Sequence, residues 1–217
     1  MATYTIKIFN QSQVTKSFVA FLQQPTVVSS GGSTPVYTNA WATFENITNG
    51  AWDSVTYTEN TYAYWGQPVG RLDHGTVLDS GGVIGVDSST NDTVTFTNTG
   101  ATGFTGVSSP GHAQNGSFQI VTSSDFTPIS NFVFGLATDN GSAIPSPVAT
   151  FNAAPNERYN ITPVVKFYVA DTACTPGEVI DMDAISNDYA AIDFTGRSET
   201  TATVIQEPNG AYTVVYE

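Results

Sequence analysis

The stretch Ile161-Thr-Pro-Val-Val-Lys-Phe-Tyr-Val-Ala-Asp171 decides how the chain is read. It crowds Val, Phe and Tyr into a short run, and these are the side chains that a strand buried on both faces favours. Pro163 stands near its start, where a missing N–H costs little. Read this way, the stretch is one central strand. It hands the chain on to Asp171-Thr-Ala-Cys-Thr-Pro-Gly and then to Asp181-Met-Asp183-Ala-Ile-Ser-Asn187-Asp188, the densest run of oxygen ligands in the sequence. A loop carried by a rigid strand is a common place for a β-protein to hold a site.

Working outward, the same period-two pattern recurs. Tyr4, Ile6 and Ile8 alternate with Thr5, Lys7 and Phe9, and Ser17–Gln24 reads as the hairpin partner of that first strand. Further strands are expected at Val36–Glu45, Ser54–Glu59, Thr93–Asn98, Ser117–Ser123, Asn131–Thr138 and Pro147–Phe151. Short extended pieces follow at Glu178–Asp181 and Ala190–Phe194. Residues 99–115, rich in Gly, Ser and Thr, read as a long loop. At the C-terminal end Thr201–Gln206 and Ala211–Tyr216 flank Glu207-Pro-Asn-Gly210, and Asn-Gly supplies the positive φ angles of a tight hairpin turn. No stretch demands a helix. Many short strands separated by turn residues predict an all-β, antiparallel β-sandwich, with a jelly roll as one form. The expectation is one domain over residues 1–217, with two small β-domains dividing near 99–115 as the alternative.

Composition narrows the function. Asp, Glu, Lys and Arg make up 12% of the chain, against roughly 25% in an average soluble protein. Nineteen acidic residues face six basic ones, for a formal charge of −13. Lys7, Lys16, Arg71, Arg158, Lys166 and Arg197 are scattered, whereas binding a phosphate backbone calls for clustered cations. Nucleic acid and anionic membranes are therefore poor partners. No apolar run approaches a membrane span, and the first ten residues alternate like a strand instead of forming a signal peptide. The expected location is the cytoplasm or leaderless export, or secretion where a leader has been removed.

Two sets of residues carry candidate chemistry. Trp41, Trp52, Tyr57, Tyr62, Tyr64 and Trp65 fall within one quarter of the chain. Exposed rings stack on sugar faces or apolar ligands, so Trp41, Trp52, Tyr62, Tyr64 and Trp65 form the expected ligand surface; filling of the sandwich core is the competing use for such rings. Asp181, Asp183, Asn187 and Asp188 could wrap Ca²⁺, a cation that takes six to eight oxygens, with Asp171 joining from the strand end. The spacing is not that of an EF-hand, and an acidic turn capping a short helix is the competing reading. Asp87, Asn91 and Asp92 form a weaker set of the same kind.

Other chemistry is thinly represented. Cys174 is the sole cysteine, which excludes an intrachain disulfide and a thiolate cage. His74 and His112 are the only histidines, and neither G-x-S-x-G nor H-E-x-x-H occurs. Sequons at Asn10, Asn46, Asn91, Asn115, Asn140 and Asn160 reflect a chain rich in Asn, Ser and Thr. Asn91-Asp-Thr-Val-Thr-Phe-Thr-Asn98 resembles the opening of a cupredoxin strand. Blue copper needs two histidines grouped with Cys and Met, and Cys174 is followed by Met182 with no His between or after. The resemblance thus implies sandwich-strand chemistry and no copper.

The expectation is a non-enzymatic binding module, lectin-like, taking a carbohydrate or small ligand with Ca²⁺ as an aid. A structural protein that self-assembles into homo-oligomers through Thr-rich faces and exposed edges is the alternative. A hydrolase using carboxylates or a lone histidine is the third.

Overall fold

The computed structural model describes residues 3–78, 81–185 and 189–217. The fold is all-β and sandwich-like, and its strands form four sheets. Sheet A runs, in spatial order, β18 (Tyr212–Tyr216), β17 (Thr201–Gln206), β1 (Thr3–Asn10) and β6 (Trp52–Thr58). Sheet B runs β16 (Tyr189–Ile192), β15 (Phe167–Ala170), β2 (Lys16–Leu22) and β5 (Ala42–Ile47). Sheet C runs β10 (Gly103–Ser108), β9 (Thr93–Thr97), β11 (Phe118–Thr122), β14 (Arg158–Thr162) and β3 (Thr26–Ser29). Sheet D runs β4 (Tyr37–Thr38), β13 (Ser146–Asn152), β12 (Val133–Thr138), β7 (Thr61–Gly66) and β8 (Gly82–Val86). Pairing is antiparallel except at β1–β17 and β9–β11.

Aromatic side chains show which sheets face each other. Tyr57 of sheet A meets Phe167 of sheet B with ring centroids 4.9 Å apart, and Tyr4 stacks on Phe194 at 4.5 Å. Phe96 of sheet C meets Phe134 of sheet D at 4.8 Å, and Phe151 meets Tyr159 at 4.8 Å. Sheet A therefore lies on B and sheet C on D, each through the inward half of a period-two pattern. One continuous cluster of buried side chains draws on all four sheets. The A/B pair uses both ends of the chain, and the C/D pair uses the middle.

The organising stretch is the chief correction. Ile161–Asp171 is two strands, with Ile161 and Thr162 ending β14 in sheet C and Phe167–Ala170 forming β15 in sheet B. Pro163 cannot donate to a ladder and holds its neighbour extended, so the chain leaves one sheet there and enters another. The β1–β2 hairpin is also absent, since β1 belongs to sheet A and β2 to sheet B. Buried Asn10 fixes that crossing by donating to the carbonyls of Val14 at 2.8 Å and Ile47 at 2.7 Å. The expected loop at 99–115 contains β10, an edge strand of sheet C. Two short helical turns, Pro128–Ser130 and α1 (Met182–Ile185), punctuate the strands. The expected C-terminal hairpin forms: β17 and β18 pair antiparallel, Glu207 N–H donates to Ala211 C=O at 2.8 Å, and Gly210 has φ 84°.

The return crossing at Asn39–Trp41 sews the two pairs together. Asn39 Nδ2 donates to Gly177 C=O at 3.0 Å, its Oδ1 accepts from Thr150 at 2.6 Å, and the Thr150 hydroxyl also pairs with Tyr64 Oη. Ala40 N–H reaches Glu178 C=O at 2.8 Å and Trp41 N–H reaches Ala20 C=O at 3.0 Å. Tyr64 lies across Gly135 of the neighbouring strand. A Cβ at Gly135 would stand 1.8 Å from Ala149 O and 2.6 Å from Tyr64 Cε1, so only glycine fits.

Candidate functional site

The five rings expected to share a ligand surface are dispersed. Trp41 is fully buried, wedged against Tyr57 and Phe167, and Tyr64 is fully buried in the network just described. Trp65 is half-buried between the rings of Phe96 and Phe132 and the backbone of Gly81 and Gly82, where a Cβ on Gly82 would come within 2.7 Å of its Nε1. These three fill space between layers, which is the competing use of large rings in a sandwich. Trp52 is 57% exposed on the outer face of sheet A, with Lys7 Nζ 4.1 Å from its ring centroid. Tyr62 is half-buried on β7 of sheet D, and its hydroxyl donates to Asp139 at 3.4 Å. Burial, followed by the charge and hydrogen bond of Asp139, raises its pKa.

The acidic loop is likewise divided. Asp181 Oδ1 accepts the N–H groups of Asp183 at 3.0 Å and Ala184 at 3.2 Å, so this carboxylate caps α1. Asp183 is exposed. Asn187 and Asp188 lie outside the described residues. Asp171 is engaged elsewhere, accepting from Lys16 and from Gln206. Among the described residues no three His, Cys, Asp or Glu side chains gather as a metal cluster would require. In the second set, Asp92 is buried and accepts from Asp87 N–H at 2.9 Å and Thr90 at 2.7 Å. Burial pushes its pKa up, but hydrogen bonds from Ser109, Thr90 and Asp87 outweigh this and hold it below the usual range. That carboxylate fastens a turn.

The histidines and the cysteine show no catalytic grouping. His74 Nδ1 lies 3.1 Å from Ile180 O. His112 is exposed, and its N–H donates to Thr93 Oγ1 at 2.8 Å. Among the described residues neither imidazole hydrogen-bonds a serine or a carboxylate. Cys174 packs beside Val19, Phe21, Ala40, Ala170 and Ile180. Burial, then the charge of Glu178, pushes its thiol up against a hydrogen bond from Thr172, the reverse of what a nucleophilic thiolate needs.

A different set of rings comes together on the outside of sheet B. The residues of β15 alternate between two clusters: Phe167 and Val169 point into the main core, while Tyr168 and Ala170 face a smaller one with Val19, Phe21, Ala40 and Ile180, at whose rim Tyr168 stays partly exposed. Register places Tyr168 opposite Phe21 of β2, and Ala170 opposite Tyr189 of β16. Phe21 stacks on Tyr168 at 5.3 Å and 22°, and Tyr189 meets Tyr168 edge-on at 5.0 Å and 84°. These rings, with Gln23, Gln24 and Met182, line a groove of about 510 Å³. Tyr168 Oη donates to Gln23 Oε1 at 3.3 Å, and Gln24 Nε2 donates to Val36 O at 2.8 Å, which orients both amides at the groove wall. Lys166 Nζ sits 5.9 Å from the Tyr168 ring centroid. An apolar aromatic floor with amides at its margin suits an amphipathic ligand that stacks one face and hydrogen-bonds at its edge. Sequence reasoning passed over Tyr168 because the stretch around it read as a strand buried on both faces. The signal was its alternation with Phe167 and Val169.

Met182, which lines the groove, follows Asp181 directly in the chain. A model of one protein family, RhiA, matches residues 1–217. No curated protein and no solved structure matches the chain.

Proposed function

The chain belongs to the RhiA family over its whole length, and from the groove on sheet B we propose that it is a non-enzymatic, lectin-like protein that binds a carbohydrate. The observation that carries the proposal is the Tyr168–Tyr189 pair, partly exposed above the buried ring of Phe21 and edged by two glutamines. The axial C–H face of a pyranose matches an aromatic floor, and ring hydroxyls match amides that donate and accept. A volume of about 510 Å³ lies within the usual range for small-ligand sites. The formal charge of −13 favours neutral or basic glycans over acidic ones.

Glycan-array binding followed by calorimetry on the best ligand tests the reading. Tyr168→Ala and Tyr189→Ala are each expected to weaken binding roughly tenfold or more while leaving the melting temperature nearly unchanged, since both rings are partly exposed. Undiminished affinity in both variants would remove the groove from the proposal. A parallel titration with a chelator addresses the Asp181–Asp188 loop. Weaker binding supports Ca²⁺ as an aid, and unchanged binding leaves the aromatic floor acting alone.

A further inference from the structure

The dipeptide Asn-Gly occurs four times, at Asn49-Gly50, Asn115-Gly116, Asn140-Gly141 and Asn209-Gly210. It carries a reaction of its own. The glycine nitrogen can attack the asparagine side-chain carbonyl carbon, because no Cβ on the following residue stands in the way. The attack needs two freedoms: the amide must swing over its own backbone, and the glycine N–H must be at liberty to lose its proton instead of donating to a carbonyl. Three of the four pairs are held. Gly50 N–H donates to Asn10 O at 2.7 Å, and Asn49 Oδ1 accepts from Gln13 N–H at 3.0 Å. Asn140 Nδ2 donates to Trp41 O at 2.9 Å, and its Oδ1 accepts the N–H and hydroxyl of Ser142 at 3.0 and 2.6 Å. Gly210 N–H donates to Glu207 O at 2.9 Å, and Asn209 Oδ1 accepts from Ala211 N–H at 3.0 Å. Asn115-Gly116 differs. Both residues are exposed, and among the described residues neither the Asn115 amide nor the Gly116 N–H has a hydrogen-bond partner. A single bond closes the turn around them, Ser117 N–H to Gln114 O at 2.9 Å, and a Cβ built on Gly116 meets nothing within 4 Å.

We propose that Asn115 is a site of spontaneous deamidation in the folded protein, with water as the sole co-reactant. The Gly116 nitrogen gives up its proton and bonds to Asn115 Cγ, the Cγ–Nδ2 bond breaks, and the amide nitrogen leaves as ammonia carrying that proton. One water then opens the five-membered imide. Opening at the side-chain carbonyl leaves aspartate, and opening at the main-chain carbonyl leaves isoaspartate, with the chain rerouted through the side chain. Either product adds a negative charge to an exposed turn. The isoaspartate route also lengthens the backbone by one carbon just before Ser117, which is 1% exposed and bonds Thr162 at 2.8 Å where the chain enters β11. The molecule therefore records its age as charge at one turn.

The test is to age the full chain in mildly alkaline buffer at physiological temperature and to follow it by anion exchange and peptide mass. Cleavage after Phe104 and Phe118 separates the Asn115 pair from the other three. The Asn115 peptide is expected to become about 1 Da heavier at least roughly tenfold faster than the peptides holding Asn49, Asn140 or Asn209. In denaturant the four rates should converge to within roughly threefold, because the bonds restraining the other three are then gone. Asn115→Gln should abolish the fast-forming acidic species and leave the melting temperature nearly unchanged, since the position is exposed. An Asn115 peptide that changes no faster than the other three, a lead that persists undiminished in denaturant, or the same acidic species arising from Asn115→Gln would each overturn the proposal.

Discussion

Carboxylates fasten loops in both pairs, but those of the C/D pair gather the most donors, whereas in the A/B pair Asp181, Glu178 and Asp193 each take one or two. Asp125 accepts from the hydroxyls of Thr97, Thr99 and Ser123 and from the N–H groups of Asn98 and Thr99. Glu157 accepts from Ser29, Ser30 and the Gly31 N–H, and Asp139 accepts from Thr58, Asn60 and Tyr62. In the A/B pair, the ring cluster at Tyr168 and the Lys16–Asp171 pair line grooves instead. The contrast teaches that many acidic residues of this chain replace the caps and ladders that its loops lack. Their abundance is therefore a poor guide to a cation site, and ligand surface is better sought where polar groups are unspent.

The largest expected effect tests whether the two pairs are one cooperative body. Phe96 touches Trp65, Phe104, Phe126, Phe132 and Phe134 in the C/D pair, and Trp41 touches Tyr57 and Phe167 in the A/B pair. Phe96→Ala and Trp41→Ala should each cost about 3–5 kcal/mol. The continuous core and the Asn39–Thr150–Tyr64 network predict a single shared unfolding transition in denaturant. Two transitions, each moved by only one variant, would break the comparison into two independent bodies.

A smaller effect is expected at Gly135. A Cβ there must part the β12–β13 ladder or displace Tyr64, so Gly135→Ala should cost about 2–3 kcal/mol, read as a lower denaturation midpoint. A neutral result would mean that the Tyr64 ring is not fixed across that strand.

The smallest effect is a dependence on pH at the Asp125 turn of the C/D pair. Hydrogen bonds from Ser123 and Thr97 first, with those from Asn98 and Thr99 behind them, hold the Asp125 carboxyl well below the usual carboxylate range. Its folded pKa lies below the unfolded value, so its contribution is complete above about pH 4 and is lost as pH falls toward the folded pKa. Asp125→Asn should flatten the acid limb of a melting-temperature profile and leave the neutral limb nearly parallel to that of the parent. An unchanged acid limb would show that these bonds do not differ between the folded and unfolded chain.

Much of the strand content could be read directly, because period-two alternation needs no partner to be seen. Thr93–Thr97 and Thr201–Gln206 are where alternation places them, and Gly210 supplies the positive φ expected at the hairpin turn, although Asn209 does not share it. Partnership was not legible. Alternation states which face is buried but not against which sheet, so β1 and β2 looked like a hairpin although they lie in different layers. Pro163 fits the first residue of a strand and a crossover equally well, and only the three-dimensional path separates the two. β10 was hidden by Gly103 and Gly106, both at φ 148°. At the site, ring type alone could not separate Trp41, packed inside, from Tyr168, turned outward.

The pairing of β1 with β17 has a consequence for biogenesis. Thr5 aligns with Thr201, so β1 waits for the much later β17 before its ladder is complete. The C/D layers, drawn from the middle of the chain, can close while that early edge is still bare on the nascent polypeptide. Long-range pairing of this kind is slow and leaves strand edges exposed in the interval, so one edge of β1 stays open until β17 has been made.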